Sequence, residues 1–180
     1  TPKPSSAASD VYKRQGVDES YQDVRELLTN FRSKLGQGDL QAAIESTVER
    51  FRRQTGIQTD LRFGGDEGGP LPPEQQLQVL FILQEALSNV RKHSEAGQVL
   101  VSVNNERDFS LLIQDDGQGY DPAEVAARGE SHVGLHIMQE RAARMRAMIK
   151  LESQPGAGTR VALTLPCLLY TSDAADEGLG

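Results

Sequence analysis

The chain has 180 residues, 25% of them charged and 37% from the hydrophobic set, an ordinary globular balance that can bury one core. A formal net charge of −7 argues against a nucleic-acid partner, which normally meets a basic face, but leaves room for an anion held by glycine turns and helix ends. No apolar run approaches the roughly 18 residues that span a bilayer, no signal peptide opens the chain, and the single Cys167 excludes an internal disulfide framework or a cysteine-based zinc site.

The two ends stand apart from the body. Residues 1–15 lack an apolar period, and residues 167–180 follow a natural stop at Pro166. The strings SSAASDVYKRQ and CLLYTSDAADE resemble translated adapter sequence. Both ends are therefore set aside as non-native or disordered tails.

Between them the elements follow in order. Tyr21, Val24, Leu27, Leu28 and Phe31 recur at helical spacing over 17–35, and Gly36 and Gly38 stop that helix. Asp39 can cap a second helix over 40–54, with Leu40, Ala43, Ile44, Val48 and Phe51 on one face and Gly56 ending it. Residues 57–63 alternate as a strand, and 64–73 form a loop rich in glycine and proline. Pro73 and Glu74 suit a helix start. That helix is expected to reach about His93, with Leu77, Leu80, Phe81, Gln84 and Leu87 on or near one stripe and Ile82, Ala86 and Val90 widening it.

Strands are expected over 99–103 and 109–114, with a turn at 104–108. The polar stretch 120–132 lacks a clear period and is long for a connection, which points to a mobile, functional loop. Gly134 opens a helix through Met145 that buries Leu135, Met138, Ala142 and Met145. Strands 148–153 and 159–165 flank the turn QPGAG. Hairpins among alternating helices and strands predict an α/β (α+β) two-layer sandwich, a mixed sheet with helices on one face.

Four features bear chemistry. Glu85, Asn89 and His93 stand at i, i+4, i+8 on one side of a helix, with Lys92 on its border. Taken alone this is a solvated face. Asp115 ends an apolar strand and is followed by Gly117 and Gly119, a turn that lets backbone approach a ligand and sets a carboxylate to accept from an exocyclic amine. Taken alone it is an Asp-Gly turn. GxGxxG fails because Pro122 stands at the third glycine, and an EF-hand fails because Gly117 and Gly119 occupy ligand positions. Gly134-Leu135 starts a helix whose free N–H groups can receive phosphate. Gly156, Gly158 and Thr159 make a tight hairpin turn.

In this order the motifs EALSNVRKHSEA, DDGQGYD, HVGLHIMQERA and GAGTRVALTLP resemble the ATP-binding domain of sensor histidine kinases, within the GHKL (Bergerat-fold) group that includes gyrase, Hsp90 and MutL. They are most similar to the nitrate/nitrite-sensor branch of two-component kinases. RELLTNFR resembles the end of the second dimerisation helix of that branch. The resemblance implies a remnant of that helix and a linker over 16–38 and an ATP-binding kinase domain over 39–166.

It further implies that Asn89 holds Mg²⁺ against the triphosphate of ATP and that Glu85 polarises the attacking histidine or a metal-bound water. Lys92 and His93 would contact phosphate or ribose. Asp115 would bind the adenine amino group, with Gly117 giving room beside the base and Gly119 leading into a lid over 120–133. Gly134 and Leu135 would close on the phosphates, and Thr159 would support the adenine site. The implied partners are the histidine-bearing dimerisation helices of a homodimeric parent and a response regulator, with no nucleic acid. The implied location is a cytoplasmic domain of a protein anchored in the bacterial inner membrane. None of His93, His132 or His136 stands in the context of a phosphate-accepting histidine, so the acceptor is expected outside this chain. Two alternatives are a non-catalytic nucleotide-binding or scaffold module of the same fold and a serine kinase of the anti-sigma type.

Overall fold

The computed structural model describes residues 39–65, 67–128 and 133–166. The expected tails, Cys167, the helix over 17–35 and the rest of 16–38 lie outside the described residues. From Leu40 onward the described elements form one unit.

Helix α1 (Asp39–Thr55) buries Ile44, Val48 and Phe51 at i, i+4, i+7. Thr47 shares that face, and its hydroxyl is satisfied by donating to the Ala43 carbonyl at 2.8 Å. Gly56, at φ +69, ends the helix by donating its N–H to the Arg52 carbonyl. The Arg52 guanidinium then reaches across to the carbonyl of Thr59, fastening the helix to strand β1 (Gln58–Gly64).

Helix α2 (Pro73–Asn89) begins at Pro73 with Glu74 in its first turn, as its sequence leads one to expect. It continues as a single π-helical turn over Val90–Ser94, and Glu95 closes it in the left-handed conformation at φ 51. Its buried stripe is Val79, Ile82, Leu83, Ala86, Leu87 and Val90, with Leu80 beside them. The apolar phase is thus rotated from the expected one. Val79 and Leu83 are in the core, whereas Leu77, Phe81 and Gln84 are half-buried on its flank.

Among the described residues, five strands form one sheet in the order β1-β2-β3-β5-β4. Only β1 and β2 (Gln98–Asn105) run parallel, and α2 supplies the crossover that such a pair needs. Strands β3 (Phe109–Asp115), β5 (Gly158–Leu165) and β4 (Met148–Gln154) add antiparallel neighbours. The sheet is therefore mixed, as expected. Val101, Ile113, Val161 and Leu151 lie in one row, and Val103, Leu111, Leu163 and Ile149 in the next. These odd-numbered positions face the helices. The even-numbered positions carry Ser102, Asn104, Gln114, Arg160, Lys150 and Glu152, none of them buried, so the helices cover one face.

Short helix α3 (Pro122–Ala127) lies within the stretch expected to be irregular, 120–132. Asp121 caps it by accepting from the Ala123 N–H at 2.9 Å, and Pro122 takes its first position. It buries none of its residues, which is why no apolar period announced it. Helix α4 (Val133–Arg144) buries Met138 and Ala142, and Met145 just beyond it is also buried. Leu135 stays half-buried, at the edge of a cavity.

Leu83 is fully buried at the centre of the α2 stripe. Leu83→Ala is expected to lower unfolding free energy by about 2–5 kcal/mol, the usual cost of a large-to-small core change. Chemical denaturation at constant m-value checks this.

Candidate functional site

Strand β3 alternates Phe109, Leu111 and Ile113 inward, and the next inward position is Asp115. The pleat therefore drives a carboxylate into the helix–sheet layer, where it is only 5% exposed. Two backbone groups meet it. The Gly117 N–H donates to Oδ1 at 2.9 Å, and the Thr159 N–H donates from the neighbouring strand β5. Burial pushes its pKa above the ordinary 3.8; the two N–H donors oppose that shift, and the adjacent Asp116 carboxylate adds to it.

Asp116 has a different task. Its Oδ1 accepts the N–H groups of Gly97 and Gln98, both at 2.9 Å, fixing the entry to β2 beside the end of α2.

The turn around Asp115 is built by backbone meeting backbone. A β-carbon on Gly119, which sits at φ +60, would run into the carbonyl of Gln154. One on Gly158 would run into the carbonyl of Asp115, and one on Gly117 into that of Ser94. The turn after β3, the β4–β5 turn and the end of α2 thus interlock only because side chains are absent. Further bonds tie the contact. The Gln118 N–H donates to the Ser94 carbonyl and the Gly156 N–H to the Gln118 carbonyl, both at 2.7 Å. The Gln118 side chain donates to the His93 carbonyl.

Above Asp115 lies an open cavity. Its apolar walls include Ala86, Val90, Ile113, Leu135, Leu151 and Val161. Its polar lining includes Asn89, His93, Asp115 and Thr159. Such a slot takes a planar, largely apolar group that presents a hydrogen-bond donor to the carboxylate.

The mouth of the site is set by two antiparallel helices. On α2, Gln78, Phe81, Glu85 and Asn89 form one stripe. Near its start, the Arg141 guanidinium of α4 stacks 4.3 Å from the Phe81 ring centroid and approaches Gln78 Oε1 at 3.5 Å. Near its end, Gly134 lies against Glu85 and Asn89. A β-carbon there would come within 2.5 Å of Glu85 Oε1 and 3.3 Å of Asn89 Oδ1. The first turn of α4 therefore rests on the polar face of α2. Burial raises the Glu85 pKa above its ordinary 4.5, and the Lys92 ammonium counters it.

Of the residues singled out in the sequence, Asn89, His93, Asp115, Gly119, Leu135 and Thr159 line one cavity. Glu85 and Gly134 meet beside it. Gly117 does not line it; the space beside its backbone is taken by Ser94 and Asp115 Oδ1. Lys92 is exposed on the π-helical turn, outside the lining. Sequence reasoning missed Tyr120, Leu151 and Ser153. Tyr120 lines the cavity with its phenol pKa pushed up by burial, and its N–H donates to Ser153 Oγ at 2.9 Å. Ser153 could have been suspected from the strand alternation, which puts a serine at an inward position of β4.

A sandwich of helices on one face of a mixed sheet, with a buried carboxylate ending a central strand below an open cavity, defines a two-layer α/β domain with a ligand-sized cleft. The chain belongs to the histidine kinase-, DNA gyrase B-, and HSP90-like ATPase family, whose model matches residues 74–168. Among curated relatives, it is 34% identical over 158 residues to the "Sensor protein NarQ homolog" of Haemophilus influenzae, covering 87% of this chain and 27% of that protein. It is 34% identical over 170 residues to the "Nitrate/nitrite sensor protein NarX" of Escherichia coli, covering 91% of this chain and 27% of that one. The chain thus spans about a quarter of the length of these relatives. Among solved structures, the histidine kinase domain of the blue-light activated histidine kinase of Erythrobacter litoralis matches with a TM-score of 0.64 at 17% identity, covering 82% of this chain and 73% of that one. At that identity it bears on the fold alone. Among the described residues, no helix is long and apolar enough to cross a membrane.

The glycine contacts separate two kinds of substitution. Gly119→Ala forces a side chain against backbone at a positive φ and is expected to destabilise by about 1–3 kcal/mol. Gly134→Ala meets the ends of the Glu85 and Asn89 side chains, which can move aside, rather than backbone. It is expected to leave the melting temperature within about 2 °C of wild type. Thermal melts of the two variants check the contrast.

Proposed function

We propose that this chain binds Mg·ATP and is the phosphate-donating domain of a sensor histidine kinase. It would transfer the γ-phosphate to a histidine on a dimerisation helix, for relay to a response-regulator aspartate. The observation that carries this reading is the meeting of Glu85 and Asn89 with Gly134 beside a cavity that ends at Asp115. The cavity suits an adenine ring, with Asp115 accepting from its amino group and Thr159 beside it. The triphosphate would then extend past Gly119 toward Asn89, His93, Lys92 and the first turn of α4, where Gly134 and Leu135 sit. Gly117 and Gly119 hold the turn that shapes the base end.

The donor set fits magnesium. Asn89 offers an amide oxygen on a half-buried face, and hard divalent cations of this size take oxygen ligands while keeping several waters. One protein ligand with phosphate oxygens would suit such an ion. Magnesium supplies charge neutralisation on the phosphates when bound. The protein's share is positioning, the larger part of phosphoryl-transfer catalysis. Glu85 would orient the attacking histidine or a water by accepting a hydrogen bond from its N–H or O–H.

The acceptor histidine would come from a partner element. His136 faces Glu140 at 3.5 Å on the exposed side of α4, His93 lines the cavity, and His132 lies outside the described residues. The parent is read as a homodimer anchored in the bacterial inner membrane, with this domain on its cytoplasmic side. The NarX and NarQ relatives support that branch. A non-catalytic scaffold of the same fold is the second reading; the presence of both Glu85 and Asn89 speaks against it.

Wild type is expected to bind ATP more tightly with Mg²⁺ than without. Asn89→Ala should weaken the Mg²⁺-dependent binding by about 10–100-fold, the usual worth of a charge-assisted contact. Calorimetric titration tests this, and no binding of ATP by wild type would overturn the reading. With γ-labelled ATP the chain alone should take up no acid-labile, base-stable label, whereas a supplied helical hairpin carrying the histidine should.

Glu85 gives a pH test. Its pKa is raised in the folded state, so between 4.5 and that higher value the native protein binds more protons than the unfolded chain. Stability from this group is therefore present at low pH and lost as pH rises through the window. Glu85→Gln should melt at or above the wild-type temperature at pH 7 and lose that advantage at pH 4. The same variant should bind ATP yet transfer phosphate about 10²–10³-fold more slowly.

A further inference from the structure

Ser153 lies on the inward face of β4 and is buried, and its hydroxyl joins three segments. The Tyr120 N–H donates to Oγ at 2.9 Å. Oγ donates to the Gly158 carbonyl at 3.1 Å. The Thr159 hydroxyl oxygen stands 2.9 Å away. A serine hydroxyl has one proton and two acceptor sites. The Gly158 carbonyl can only accept, so it takes the serine proton. The Tyr120 N–H can only donate, so it fills one lone pair. The Thr159 hydroxyl is left to donate into the other.

This arrangement spends the Thr159 proton on Ser153, away from the cavity that Thr159 lines. Toward the cavity the Thr159 oxygen then offers only lone pairs. Asp115 beside it is likewise an acceptor, its carboxylate already held by the N–H groups of Gly117 and Thr159. Beside β5, Asp115 and the Thr159 oxygen thus present two neighbouring acceptors.

We propose that Ser153 is a specificity-determining residue: by orienting the Thr159 proton inward, it makes the base end of the cavity favour an amino-substituted purine over an oxo-substituted one. The inference rests on the nucleotide-binding reading above. Ser153 acts through Thr159 and need not touch the ligand. An oxo group placed there would face acceptors on both sides, and a buried acceptor left without a donor is strongly disfavoured.

The test compares ATP with inosine triphosphate, which carries an oxo group where ATP carries the amino group, by calorimetric titration of the full 180-residue chain with Mg²⁺. Wild type should prefer ATP. Ser153→Ala frees the Thr159 hydroxyl to turn and donate, and the ATP-to-inosine-triphosphate preference should fall about tenfold. Ser153→Thr keeps a hydroxyl and should keep the preference. A Ser153→Ala chain that weakens both nucleotides equally has only loosened the fold, and overturns the proposal. Loss of preference in Ser153→Thr as well would assign the effect to packing, and also overturns it. If Ser153→Ala does not fold, Thr159→Val must lower the preference; an unchanged ratio there overturns the proposal. Equal binding of the two triphosphates by wild type defeats this inference but leaves nucleotide binding standing. Binding of neither defeats the nucleotide reading itself.

Discussion

A carboxylate inside a helix–sheet layer is stable only if backbone donors meet it, and Asp115 sets this requirement for everything around it. Its two donors come from Gly117, in the turn that follows its own strand, and from Thr159, at the start of the adjacent strand. Both segments must approach within hydrogen-bond reach, and they do so because Gly117, Gly119 and Gly158 present no side chains to their neighbours. The cavity floor, the route out past Gly119 and the β4–β5 turn are therefore one interlocked unit. Desolvation still leaves the carboxyl pKa above its ordinary value.

Helix α2 carries the second half of the site while also serving as the core. Ile82, Leu83, Ala86 and Val90 face the sheet, and the adjoining stripe of Gln78, Phe81, Glu85 and Asn89 faces α4. Half-burial follows from that border position. It raises the Glu85 pKa and brings its carboxylate against the backbone of Gly134. At the other end the Arg141 guanidinium lies over the Phe81 ring, a second contact of α4 with that stripe.

Much of the fold was legible in the residues. The alternation of β2, β3 and β5, the proline start of α2 and the glycine end of α1 all depend on near neighbours, and each element forms within a few residues of where those signals put it. Two readings failed for physical reasons. The apolar arc of α2 is wide enough to admit several phases, and only the sheet beneath selects the one that buries Val79 and Leu83 and leaves Phe81 at the flank. Helix α3 buries none of its residues and so has no period to read, although Asp121 and Pro122 mark its start.

The sequence by itself determined the order of motifs, the mixed two-layer architecture and the identity of the polar groups, because periodicity, turn chemistry and residue type are local properties. Only the tertiary structure decided which of those groups share a cavity. It set Asn89, His93, Asp115 and Thr159 around one space, left Lys92 outside it and turned Gly117 toward Ser94. It also brought in Ser153 and Tyr120, which no motif marked. Hydrogen-bond direction, burial and pKa depend on what meets across the layer, and those meetings join residues far apart in the chain.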